Sequence, residues 1–92
     1  VQVNDDGRVV KLQLSYNNLK GPIPEAIGAL SELKGLYLNG NLLTGSIPLG
    51  LGRLSQLQLL GLHNNKLVGP IPEALGSLSN LMTLFLHGNK LT

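Results

Sequence analysis

One four-residue phrase returns at a fixed distance along this chain. Gly21-Pro22-Ile23-Pro24 recurs 24 residues later as Gly45-Ser46-Ile47-Pro48, and after 24 more as Gly69-Pro70-Ile71-Pro72. The same offset aligns the leucines and asparagines of the chain in columns: Leu12, Leu36, Leu60 and Leu84; Leu14, Leu38, Leu62 and Leu86; Asn17, Asn41, Asn65 and Asn89. An unbroken period of this length predicts a repeat architecture in which each copy packs on its neighbours.

Each position shared by the copies has a physical reason. The Leu-x-Leu step alternates as a short β-strand does, with two leucines pointing inward and the residues between them exposed. The asparagine that follows can satisfy backbone groups turned inward at a bend and link each coil to the next. Gly21 and its equivalents suit a turn with positive φ, and Pro24 and its equivalents fix φ where a second extended segment ends. The arc over 25–30 predicts a helical or 3₁₀ turn.

Residues 36–48, LYLNGNLLTGSIP, carry the most complete copy of the pattern. The pattern resembles the 24-residue plant-type leucine-rich repeat, LxLxxNxLxGxIPxxLGxLxxL, of plant receptor-like proteins and of algal Roco-type leucine-rich-repeat proteins. This resemblance implies an α/β leucine-rich-repeat solenoid. It implies a right-handed coil with a parallel β-sheet on the concave face, a short second sheet from the Gly-x-Ile-Pro segments, and 3₁₀ or helical turns on the convex face.

The resemblance divides the chain into two parts. Residues 1–8 are similar to the end of this family's N-terminal cap, and residues 9–92 hold three full repeats and the start of a fourth. Secreted members commonly carry a cysteine near the position of Val3, whereas this chain has no cysteine and no N-glycosylation sequon. We therefore expect an intracellular location, with an extracellular ectodomain fragment as the alternative. We also expect the chain to be part of a longer repeat array.

Composition excludes several classes of function. Seven Lys and Arg against five Asp and Glu give a net charge of +2 without a run of like charge, too weak a basic balance for nucleic acid. No apolar run approaches the roughly 18 residues of a membrane span, so we expect no membrane insertion in this segment. The sequence has no flanking carboxylate pair, dinucleotide fingerprint or phosphate-binding loop. We expect no enzyme activity, no catalytic residues and no cofactor.

The residues that differ between copies define four columns on the predicted concave face. These are Lys11, Gly35, Leu59 and Thr83; Gln13, Tyr37, Gly61 and Phe85; Ser15, Asn39, His63 and His87; and Tyr16, Gly40, Asn64 and Gly88. All three aromatic residues and both histidines fall in these columns, and the five acidic residues lie outside them. Just beyond the strands follow Asn18, Leu42, Lys66 and Lys90.

We predict that these positions supply the partner-binding surface, because exposed aromatic side chains suit interface anchors. Cross-strand packing of the aromatics is the alternative. The lysines favour a partner with an acidic segment. His63 and His87, about 4.8 Å apart on adjacent strands, lack a third ligand, so we expect no metal site; a pH-sensitive contact is a second interpretation. The candidate residues are Lys11, Gln13, Tyr16, Tyr37, Asn39, His63, Lys66, Phe85, His87 and Lys90.

The sequence thus predicts a module that recognises a protein or peptide ligand through a varied concave surface. One alternative is a regulatory or sensor segment of a multidomain enzyme, such as a receptor kinase or a Roco GTPase, with catalysis outside this chain. Another is a structural spacer that self-associates end to end. Ice binding, known for some plant repeats of this type, is disfavoured because Thr44, Thr83 and Thr92 form no regular column.

Overall fold

The computed structural model describes all 92 residues as a short solenoid of stacked coils. The chain forms nine strands and three 3₁₀ helices of five residues each, and each helix follows two or three strands. The strands are β1 Gln2–Val3, β2 Val9–Gln13, β3 Lys20–Pro22, β4 Gly35–Tyr37, β5 Leu42–Thr44, β6 Leu59–Gly61, β7 Val68–Gly69, β8 Thr83–Phe85 and β9 Lys90–Leu91. The helices are Glu25–Ala29, Leu49–Arg53 and Glu73–Ser77. This is the predicted α/β leucine-rich-repeat architecture.

The main sheet forms one face of the solenoid, with strand order β1-β2-β4-β6-β8. β2, β4, β6 and β8 are parallel, and their register pairs residues 24 apart, so Leu12 lies opposite Leu36 and Leu60 opposite Leu84. The repeat period is therefore also the sheet register, as predicted. β1 instead pairs antiparallel with β2. The cap-like role of residues 1–8 stays a prediction.

The second set of strands begins earlier than predicted. β3 pairs with β5, and β7 pairs with β9. β3 ends at the second residue of its Gly-x-Ile-Pro phrase, β7 ends at the first residue, and β5 ends directly before the phrase. The prolines at positions 24, 48 and 72 do not end these strands. Each stands directly before a 3₁₀ helix with φ between −71° and −63°, because the ring fixes φ near the value that a helix start requires.

The asparagine column joins the coils, as predicted. The Asn41 side-chain oxygen accepts bonds from Asn17 N and Leu19 N, at 2.8 and 3.1 Å. Its amide nitrogen donates to the carbonyls of Leu14, Leu38 and Asn39 at 2.9–3.2 Å. Asn65 repeats this arrangement one coil later. Backbone groups that the bend turns inward thus find partners without water.

The core consists of 14 buried aliphatic side chains between the main sheet and the 3₁₀ helices. Leu36, Leu60 and Leu62 are fully buried. Helices of successive coils also approach closely, since a Cβ at Gly28 would overlap the Gly50 carbonyl and one at Gly52 would lie 2.7 Å from the Ala74 Cβ. With core and convex contacts repeated from coil to coil, the outward positions of the main sheet are free to vary.

Candidate functional site

The register of the main sheet places the varied residues in straight rows across the strands. Lys11 lies opposite Gly35, and the same row continues through Leu59 to Thr83. The next row runs from Gln13 through Tyr37 and Gly61 to Phe85. These two predicted columns are therefore rows of the sheet, and their side chains are neighbours on one surface.

Three rings meet at the C-terminal half of this surface. The His63 and His87 rings stack with centroids 4.7 Å apart and planes 27° from parallel. Phe85 presents its edge to both, with centroids 5.2 Å from His63 and 6.1 Å from His87. We call these three residues the ring cluster. Aromatic pairs at such distances and angles stabilise one another beyond their area burial. Phe85 thus packs on the two histidines and not on Tyr16 or Tyr37.

Nδ1 of His63 is the only buried side-chain nitrogen or oxygen atom in the chain without a hydrogen-bond partner. Burial, and secondly the neighbouring charge of His87, lowers the pKa of His63 below its ordinary value of 6.5. The neutral form of the His63 imidazole is therefore favoured at neutral pH.

A second arrangement occupies the N-terminal half. The Lys11 ammonium lies 5.2 Å from the centroid of the Tyr37 ring, within the range of a cation–π contact. Gly35 makes room for both side chains, since a Cβ there would lie 3.2 Å from the Tyr37 ring and 3.6 Å from the Lys11 chain. The lysine is thereby held against the sheet with its charge available.

Gly61 separates the two arrangements. It stands between Tyr37 and Phe85 in the same row and is buried. A Cβ at Gly61 would lie 3.5 Å from the His63 ring. Tyr37 and Phe85 therefore lie two strand spacings, about 9.6 Å, apart in this row, and the His63 ring lies beside the glycine between them.

Tyr16 takes a different position from Tyr37 and Phe85. It adopts the left-handed region with φ 56°, and its column continues with Gly40, Asn64 and Gly88, all at positive φ. A Cβ at Gly40 would overlap the Tyr16 ring. The ring thus covers the next coil and leaves 72% of the residue exposed.

Asn39 corrects the predicted site. It was expected on the exposed face, but only 7% of the residue is accessible, and its Oδ1 accepts a 2.7 Å bond from the Ser15 hydroxyl. The Asn39 amide thus bonds along the column to Ser15, whereas the His63 and His87 rings stack on each other. Gln13, Lys66 and Lys90 are exposed, but none belongs to the ring cluster.

One row of varied residues was missed by the sequence analysis. Lys34 N bonds to Val10 O, Gln58 N to Lys34 O, and Met82 N to Gln58 O. Lys34, Gln58 and Met82 directly precede β4, β6 and β8, and Val10 of β2 belongs to the same row. The sequence did carry a signal for this row, because the side chain changes at each 24-residue step from apolar to cationic, amide and thioether.

Thr44, Val68 and Thr92 are all exposed. The second sheets pair Thr44 with Pro22 and Val68 with Lys90, so the threonines form no regular column, as predicted.

The chain contains no cluster of three or more side chains able to hold a metal ion. None of its helices is long and apolar enough to cross a membrane.

Comparison with known proteins identifies the family. The family model described as leucine rich repeat matches residues 7–67, more than half of the chain. The protein therefore belongs to the leucine-rich-repeat family, and it is similar to solved structures with the plant-type repeats that its sequence pattern indicates. No curated protein was matched.

Solved structures resemble the chain over most of its length. The plant peptide hormone receptor RGFR1, in complex with RGF2, is 44% identical with a TM-score of 0.89 over 90% of this chain and 13% of that receptor. The ectodomain of the receptor kinase SOBIR1 from Arabidopsis thaliana is 42% identical, TM-score 0.88, over 91% and 46%. A plant ice-binding protein is 42% identical, TM-score 0.87, over 94% and 28%.

These matches bear on the predicted location. The chain spans less than half the length of each of these structures. The predicted intracellular location receives no support from them, since the SOBIR1 match is to the extracellular part of a receptor kinase. Absence of cysteine from 92 residues was a poor guide, because the repeats themselves fold on leucine and asparagine contacts.

Proposed function

We propose that this chain is a recognition module whose concave sheet binds a protein or peptide partner, with the ring cluster at the centre of contact. The observation that carries this proposal is the ring cluster itself. Phe85 is 43% exposed although it is a large apolar residue, and it is held in place by two imidazoles. Rigid aromatic side chains lose little entropy on binding and are frequent interface anchors.

The proposed contact surface keeps the predicted residues other than Asn39: Lys11, Gln13, Tyr16, Tyr37, His63, Lys66, Phe85, His87 and Lys90. The partner contains an acidic segment, because lysines and no carboxylates stand on and beside this face. We further propose that residues 1–8 act as a cap-like segment, that the chain is part of a longer extracellular array, and that no reaction takes place within it. Similarity to a peptide hormone receptor and a receptor-kinase ectodomain supports these proposals.

Selection from a displayed random-peptide library, followed by affinity measurement, tests the proposal. Phe85→Ala and His63→Ala each remove part of the ring cluster, and we expect selected peptides to bind each variant about 5- to 30-fold more weakly. Leu49→Ala is the matched control, since Leu49 is 66% exposed and lies on the convex helix. Equal loss in all three variants, or no loss in any, would refute the proposal once circular dichroism melts show that each variant is folded.

Ice binding is a second candidate, favoured by one observation. A plant ice-binding protein shares the fold and is 42% identical to this chain, and Thr44 is exposed on β5. Thermal hysteresis measured for the chain and for Thr44→Lys tests it. Hysteresis that Thr44→Lys abolishes would favour ice binding, whereas no hysteresis in the parent chain would remove the candidate.

A further inference from the structure

A groove of about 600 Å³ crosses the main sheet where its strands begin. It extends from Val3 on β1 at one edge to Met82 and Thr83 on the other. Tyr37 lines it, but no residue of the ring cluster does. The groove is therefore a second surface, distinct from the centre of the proposed contact.

The groove combines cationic, amide and apolar groups without any acidic one. Its two charged residues are Lys11 and Lys34, and the amides of Gln2 and Gln58 lie beside them. Val3, Leu59 and Met82 supply apolar surface, and Met82 is 82% exposed. A partner that satisfies this lining must be anionic at some positions and aliphatic at others.

The cationic side of the groove is held in position. The Tyr37 ring faces the Lys11 ammonium at 5.2 Å, which limits the rotamers open to the lysine. The backbone beneath Lys34 is fixed on both sides, because its N–H donates to Val10 O at 2.7 Å and its carbonyl accepts from Gln58 N at 2.8 Å. Binding therefore orders less of the Lys11 side chain than it would of a free surface lysine.

The direction of the groove sets the length of its occupant. It runs across the strands from β1 to β8, four spacings of about 4.8 Å, or about 19 Å. An extended chain rises about 3.3 Å per residue, so about six residues fill it. Because such a chain lies across the strands and on their face, it cannot add to the sheet by backbone pairing. Side chains must hold it.

We propose that this groove binds an extended acidic peptide segment of about six residues. The segment's carboxylates face Lys11 and Lys34, and its aliphatic side chains rest on Leu59 and Met82. The proposal rests on the proposed function, because it names the chemistry of the partner and adds a second contact region on the same sheet. Gln2 and Gln58 donate to and accept from the peptide backbone.

Chemical shift mapping by NMR on the 92-residue chain tests the groove directly. The probe is a synthetic hexapeptide of alternating aspartate and leucine with both ends blocked, and its counterpart carries asparagine in place of aspartate. We expect the aspartate peptide to shift the amide signals of Lys34, Gln58 and Met82. The asparagine peptide should bind more weakly, and the difference should shrink as salt screens the charges.

Three variants locate the charge that matters. Lys34→Gln and Lys11→Gln remove the charge and keep a polar side chain that is one atom shorter, and each should weaken binding of the aspartate peptide about two- to fivefold, the range for a solvent-accessible ion pair. Lys20→Gln is the matched control, because Lys20 is exposed on β3 and does not line the groove. The Lys20→Gln variant should bind the aspartate peptide as tightly as the parent chain does.

The outcomes separate this proposal from the proposed function. Shifts confined to His63, Phe85 and His87 would overturn the groove and leave concave-face recognition intact. Equal weakening by Lys34→Gln and Lys20→Gln would also overturn it, since binding would then follow net charge alone. No shifts at saturating peptide would overturn it as well, and the library selection on the ring cluster would still decide the proposed function.

Discussion

The asparagine column of Asn17, Asn41, Asn65 and Asn89 and the histidine column of Ser15, Asn39, His63 and His87 run side by side, two residues apart in every coil. The first holds the same residue in every copy, and its side chains bond to backbone groups of two coils. The second holds three different residue types in its four positions, and its side chains contact one another or solvent.

This difference follows from what each side chain must satisfy. A buried backbone N–H or carbonyl at the bend has a fixed position in every coil, so only one side-chain geometry serves it. Outward positions of the sheet carry no such demand, because their own backbone groups are paired within the strands. The asparagine column therefore repeats for a structural reason, whereas the residues of the histidine column can vary and can be selected for binding.

Removing an amide from the middle of the asparagine column should have the largest effect. Asn41→Ala deletes two accepted and three donated bonds, and several of the backbone groups left behind are buried. We expect the free energy of unfolding to fall by about 3 kcal/mol or more, measured by urea denaturation.

The matched control lies in the same column. Asn17 makes one exposed bond, from its amide nitrogen to Ser15 O at 3.1 Å, so Asn17→Ala should cost only about 0.5–1.5 kcal/mol. If both variants lost the same stability, the bonds across coils would not explain why the column is uniform.

The second prediction concerns the residue that departs from its column. Asn39 belongs to the histidine column but is buried and bonded to Ser15 Oγ at 2.7 Å. A double-mutant cycle of Ser15→Ala and Asn39→Ala should give a coupling of about 0.5–1.5 kcal/mol. The two substitutions would be additive if the hydroxyl and the amide acted independently, and Asn39 would then return to the candidate contact surface.

Much of the fold was predictable because the period of the sequence is also the register of the sheet. Leu36 and Leu60 had to align in space once they aligned in sequence, and the asparagines had to meet the backbone at the bend. The second strands were misplaced because Gly-x-Ile-Pro is a conspicuous phrase, whereas the residues that pair just before it, such as those of β5, carry no distinctive pattern.

The candidate site was predictable only in part, because the contacts of each side chain decide whether a column position is exposed. Asn39 and His63 occupy equivalent places, yet Asn39 accepts a hydrogen bond from Ser15 whereas His63 stacks on His87. The row through Lys34 and Met82 was missed because it precedes the strands, where inward and outward no longer alternate simply. The Lys11–Tyr37 contact does not follow from spacing without coordinates.

The smallest expected effect concerns the pH dependence of stability, which His63 contributes through its buried Nδ1. Its pKa is lowered in the folded chain, so below the ordinary value of 6.5 the unfolded chain binds a proton more readily than the folded one. The stabilisation is therefore fully present above pH 6.5 and is lost as pH falls through the folded-state value. Melting temperatures of the parent and of His63→Asn, measured between about pH 5 and pH 8, should show a decline in acid that the variant lacks. His87→Asn should keep most of the decline, since burial is the larger cause and the charge of His87 the smaller. An equal decline in the parent and in His63→Asn would place the titrating group elsewhere, and the histidine column would then differ from the asparagine column in exposure alone.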